Sequence, residues 1–86
     1  MNLGSIWNKL NVKERDKIYM SVLYYSDNVI HTKYELKYTT IPFNKIIFLD
    51  IVYVLNALRF YRRNITMLYP DMKLIETIIR KLKGLE

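Results

Sequence analysis

Apolar residues recur along this chain with different periods, and the periods predict its elements. Leu68, Met72, Ile75, Ile79 and Leu82 are spaced by four, three, four and three, while Lys73, Thr77, Arg80 and Lys81 take the opposite face. This is the stripe of an amphipathic helix, widened by Ile78 and Leu85. Pro70-Asp71 supplies its start and Gly84 its stop. About two heptads are too few for a free coiled coil, so the stripe is expected to pack on the rest of the domain or on a dimer mate.

The first half of the chain predicts a second helix. Asn11-Val12-Lys13-Glu14 has the spacing of a capping box, with Asn as N-cap and Glu at the third helical position. A short turn over 5–10, pinned by Trp7 and Leu10, precedes it. The helix is expected to run to about Ser26, with Ile18, Val22, Tyr25 and Val29 on one face. Tyr19, Met20, Leu23 and Tyr24 make its second half apolar nearly all round, the pattern of a helix covered on two sides. Lys13 with Asp16, and Glu14 with Lys17, read as i,i+3 pairs on a solvated first turn. Over 33–41 the period falls to two: Tyr34, Leu36, Tyr38 and Thr40 alternate with Lys33, Glu35, Lys37 and Thr39. That alternation predicts a strand ended by Pro42, pairing with 29–32, with 46–54, or with its copy in a dimer.

The most apolar stretch, "IIFLDIVYVLNALRFYRRN" at 46–64, allows three readings. A membrane span fails on length, because only 13 residues separate Ile46 from the end of the apolar run at Leu58 and Asp50 lies among them, whereas a span needs about 20. A strand over 46–54 fits the local Ile, Val, Phe and Tyr content. A helix of some 18 residues fits best: at about 100° per residue it gathers Lys45, Asn56, Arg59 and Arg63 within an arc of about 60° and ends in cations at its negative pole. In that helix Asp50 would be buried and would need a partner. The fold class expected is mainly α. It is a single domain over 1–86 of three to four helices, with one short β-strand or hairpin at about 33–41, dimeric or bound to a partner.

Composition narrows the chemistry. With 86 residues and 51% hydrophobic content, the chain carries more apolar surface than so small a monomer easily hides, which points to a homodimer or a hetero-complex. It has no cysteine and one histidine, His31, which reads as a surface partner of Asp27, so neither disulfides nor a metal site nor any cofactor is expected. Eleven Ile, nine Lys, eight Tyr and seven Asn beside one Ala and no Gln give an AT-rich texture that resembles small proteins of archaeal viruses and plasmids. No secretory signal is visible at the N-terminus, so a cytoplasmic protein is expected. There is no Ser/His or Cys/His pair, no phosphate-cradling glycine loop and no paired carboxylates, and an enzyme is not expected.

The net charge of +6 favours a polyanion, nucleic acid and DNA in particular. Arg59, Arg62 and Arg63 end one predicted helix, and Lys73, Arg80, Lys81 and Lys83 line the next, with Tyr61 and Tyr69 near enough to meet sugar or base. The alternative partner is a larger nucleic-acid-processing enzyme, on which the chain would dock as an accessory subunit or inhibitor through its aromatic and apolar surface.

"TTIPFNK" at 39–45 and "KLIETIIRKLKG" at 73–84, in the order strand, helix, helix, resemble the strand-to-helix junction and second helix of ribbon-helix-helix repressors. The resemblance implies paired strands in a dimer that enter the major groove, with exposed strand positions such as Lys33 and Lys37 as readers. The chain departs from that pattern in a central segment about ten residues longer, in lacking a glycine between the helices, and in a register that would bury Glu35 and Lys37.

Overall fold

Asn11 and Glu14 open the first helix by exchanging hydrogen bonds: the Glu14 N–H donates to Asn11 Oδ1 at 2.8 Å, and the Asn11 N–H donates to Glu14 Oε1 at 2.9 Å. The capping box expected from the sequence therefore forms in full, and α1 runs over Val12–Asn28. In this computed structural model, which describes residues 1–28 and 42–84, two more α-helices follow, α2 over Ile51–Asn64 and α3 over Tyr69–Lys83. Three 3-10 segments complete the described chain: Leu3–Ser5 and Trp7–Lys9 lead into α1, and Phe43–Phe48 leads into α2.

The helices pack around one core. Ile18 and Val22 of α1, Val54, Leu55 and Leu58 of α2, and Ile75, Ile78 and Leu82 of α3 have no exposed surface. Leu3 and Ile46 from the 3-10 segments, and Leu10 just after the second of them, belong to the same core. Between α1 and α2 the tyrosines interlock: Tyr24 meets Tyr61 at 5.6 Å and Phe60 at 5.7 Å, while Tyr25 meets Tyr53 and Phe60, each at 5.3 Å. Mostly edge-to-face, these contacts account for Tyr24 and Tyr25 in the second half of α1, whereas Met20, expected on a covered face, is 49% exposed. The N-terminal turn is pinned at Trp7 and Leu10 as its sequence suggests, and Arg15 and Phe43, which the sequence pattern does not single out, hold it further. Arg15 donates from Nε and Nη2 to the Trp7 carbonyl at 3.2 and 2.8 Å, and its guanidinium stacks 4.9 Å from the Trp7 ring centre. Phe43 closes the other side, edge-on to Trp7 at 5.6 Å and to Tyr19 at 5.2 Å.

The helix expected from Ile46 is shorter than the sequence pattern suggests. Leu49 and Asp50 are extended, and α2 begins only at Ile51. Asp50 is the reason. Its Oδ1 accepts from the Val52 N–H at 2.8 Å, so the carboxylate caps the helix instead of lying within it. It is not buried: the side chain is 61% exposed, with Oδ2 3.8 Å from the N-terminal amine. Leu49 and Val54, at the N′ and N4 positions of a hydrophobic staple, are both in the core, and the cap accordingly sits between buried residues. Starting the helix at Ile51 also takes Lys45 off the face shared by Asn56, Arg59 and Arg63.

The N-terminus crosses this break. Leu3 N–H donates to the Leu49 carbonyl at 2.8 Å, and Ile51 N–H to the Met1 carbonyl at 3.0 Å. This gives an isolated antiparallel bridge between Asn2 and Asp50, and no strand occurs among the described residues. A hairpin using 46–54 is excluded, since 46–48 is 3-10 helix and 51–54 is α-helix. The strand expected at about 33–41, with its partner segment 29–32, lies outside the described residues, as does His31.

Replacing Asp50 with alanine is expected to cost about 1 kcal/mol, the usual worth of an N-cap, while asparagine or serine retains most of it. Urea unfolding of the three variants checks this; an alanine variant as stable as the native chain would remove the cap from the account.

Candidate nucleic-acid interface

The last turn of α2 sorts its residues by the 3.6-residue period. Leu58 and Tyr61 point into the core, leaving Arg59, Arg62 and Arg63 exposed. Cations in this turn lie next to the carbonyl end of the helix dipole, which favours them. The turn is finished by Asn64, whose Nδ2 donates to the Phe60 carbonyl at 2.9 Å, and by the Ile65 N–H donating to the Tyr61 carbonyl at 2.9 Å.

Arg59, Arg62 and Arg63 line one open depression of about 380 Å³. Arg62 also lines a second, of about 230 Å³, together with Glu76, Ile79, Arg80 and Lys83 of α3. Five of the seven cations expected from the sequence thus come together, joined through Arg62. Among the described lining residues of the two depressions, Glu76 is the one carboxylate, and its Oε1 accepts from Arg62 Nη2 at 2.8 Å.

The other two expected cations are elsewhere. Lys81 turns away to α1, where Nζ lies 2.8 Å from Glu14 Oε2 and 3.0 Å from Oε1. Lys73 stands over the Tyr69 ring, 5.4 Å from its centre, and lines neither depression. The strand positions Lys33 and Lys37 lie outside the described residues. Of the two tyrosines expected nearby, Tyr69 is exposed, whereas Tyr61 is buried against Tyr24 and cannot meet a ligand.

The start of α1 also differs from its sequence pattern. Glu14 does not pair with Lys17 on a solvated turn; it is 2% exposed and bound to Lys81. Lys17 instead approaches Asp71 Oδ1 at 3.7 Å. A third depression, about 300 Å³, joins Lys13 and Lys17 with Asp16, Asp71, Met20 and Leu74. The charges of its described lining residues balance, so these offer a polyanion far less than the arginine surface does. On α3 the buried stripe is Ile75, Ile78 and Leu82, with Ile79 only partly covered and Leu68 76% exposed. This rotates the apolar face slightly from the spacing read in the sequence and leaves Ile79 as the apolar floor beside Arg62 and Arg80.

No group of three or more His, Asp or Glu side chains among the described residues is arranged to hold a metal ion. No helix among them is long and apolar enough to cross a membrane. In comparisons with protein-family models, curated proteins and solved structures, nothing matches this chain.

Two of these features were not legible as functional residues. Glu76 meets Arg62 across 14 positions, and Glu14 meets Lys81 across 67. Pairs at such separations carry no local spacing signal.

Proposed function

We propose that this chain is a small non-catalytic nucleic-acid-binding protein that meets the phosphate backbone with Arg59, Arg62, Arg63, Arg80 and Lys83. The observation that carries this reading is the joining of two open depressions through Arg62, lined by five cations and a single described carboxylate. Guanidinium groups match phosphate geometry with paired N–H donors, and four of the five cations are arginines. Clustered cations gain affinity by releasing counterions from the nucleic acid, a gain that grows with each phosphate met. Duplex DNA, in a regulatory role, is the ligand class proposed first.

Fluorescence anisotropy with a labelled duplex tests this directly. Binding at about 50 mM salt is expected, with log K falling against log salt at a slope of roughly −4 to −5 if all five cations meet phosphates. Absence of binding at that salt would sink the proposal.

A second reading rests on a separate observation. Phe48, at the end of the 3-10 segment before α2, and Val52, in the first turn of α2, are 65% and 55% exposed, and Val52 lies about 10–17 Å along the helix from its arginines. Exposed apolar groups at that end suit a protein partner, either a second copy or a larger nucleic-acid-processing enzyme. A pull-down performed with and without nuclease separates the readings: a protein partner retained after nuclease treatment favours this second one.

A further inference from the structure

We infer that Glu76 is a built-in competitor for the phosphate backbone, occupying Arg62 until a polyanion displaces it; this rests on the nucleic-acid reading above. Arg62 is the one described residue that the two depressions share, so its charge matters to both. Its Nη2 is engaged by Glu76 Oε1 at 2.8 Å. Both side chains remain accessible, 43% for Arg62 and 29% for Glu76, and the pair can therefore open without uncovering the core. An accessible pair of this kind is weak enough to be exchanged.

The surroundings of Glu76 make it a competitor. Arg80 is four residues further along α3 and Lys83 seven, so all three share one helical face and line the same depression. A phosphate approaching Arg62 meets a carboxylate already there and must displace it or accept like-charge repulsion. Either course weakens binding through Arg62 and removes nearly one phosphate from the salt dependence. The opposite role, in which Glu76 orients Arg62 toward the ligand, has the opposite sign in the same experiment.

The test measures duplex binding by anisotropy across a salt series for the native chain, Glu76→Gln, Arg62→Gln and the double variant. Glutamine keeps the size of the side chain and removes its charge. Glu76→Gln is expected to bind roughly 3- to 10-fold tighter at about 50 mM salt and to steepen the salt slope by just under one. In the Arg62→Gln background the same substitution is expected to change affinity by less than about 2-fold, because nothing is left to release. Asp71→Asn removes a negative charge from the third depression and serves as a control for net charge. It too is expected to change affinity by less than about 2-fold.

If Glu76→Gln binds no tighter than the native chain, or more weakly, the competitor role is overturned while the nucleic-acid reading stands. An equal gain from Glu76→Gln in the Arg62→Gln background, or from Asp71→Asn, also overturns it, since the effect is then one of net charge alone. If the native chain binds no duplex at about 50 mM salt, both the reading and the inference fall together.

Discussion

Lys81→Met is expected to lower the stability of the domain by about 2–3 kcal/mol, and to do so while leaving polyanion binding nearly unchanged. Glu14 is 2% exposed, and its two oxygens accept three hydrogen bonds: one from the Asn11 N–H and two from Lys81 Nζ. Removing the ammonium leaves a buried carboxylate with only its cap partner. Breaking a fully buried pair costs about 3–5 kcal/mol. The lower figure applies here because Lys81 is itself 38% exposed, so water reaches one side of the pair. For a domain of this size the loss corresponds to a fall in Tm of roughly 10–20 °C.

Two companion variants locate the cause of that loss. Glu14→Gln removes the charge but keeps an oxygen to accept the Asn11 N–H, and glutamine is at home in a capping box, so a cost below about 1 kcal/mol is expected. Combined with Lys81→Met, it should recover part of the loss of the single variant, because no unpaired buried charge remains. Urea unfolding of all three decides it. A double variant less stable than Lys81→Met alone would show that the hydrogen bonds made by the Glu14 carboxylate, and not the burial of an unpaired charge, set the stability.

The second large effect is on binding. Changing Arg59, Arg62 and Arg63 together to glutamine is expected to reduce affinity for duplex DNA by roughly 10²–10³-fold at about 0.1 M salt. Each phosphate contact contributes about 0.9 to the slope of log K against log salt, so the two full contacts of Arg59 and Arg63, with the contested one of Arg62, are worth roughly two to three decades between about 0.1 and 1 M salt. The slope itself should become shallower by roughly 2–3. Stability should change little, because all three side chains are exposed and the buried face of that turn is Leu58 and Tyr61. Arg62 also gives up its pair with Glu76, an accessible contact of small worth. A triple variant that binds with native affinity would place the interface elsewhere. On the proposed reading the expected outcomes are complementary, with Lys81→Met lowering stability and not binding, and the arginine variant lowering binding and not stability.

Local spacing along the chain dictates the elements that depend on neighbours a few residues apart. The capping box at Asn11 and Glu14, the pinned N-terminal turn, and the amphipathic face of the last helix all rest on spacings of three to eight residues. The exclusion of a membrane span followed from a count of apolar positions. The start of α2 was not determined in this way: Leu49-Asp50 followed by Val54 has the spacing of a cap within a staple, yet the pattern predicts a helix from Ile46 with Asp50 inside it. The cap was obscured by the unbroken apolar run on either side, which imitates a continuous helix. Period-two or period-3.6 patterns cannot distinguish a polar residue that interrupts a helix from one that begins it, because both tolerate a single carboxylate.

Tertiary structure alone decided which cations form a surface. Arg80, Lys81 and Lys83 are close neighbours on α3, yet Arg80 and Lys83 join Arg62, while Lys81 crosses to α1. Their spacing is helical and regular, and nothing local separates them. The difference is set by what lies opposite: a buried carboxylate at the start of α1 for Lys81, and the arginine end of α2 for the other two. A long-range ion pair is fixed by packing between helices, which the apolar stripes on all three establish together. The pattern of apolar positions thus determined that the chain forms helices with cationic ends, and the packing of those helices selected the charges that remain available to a ligand.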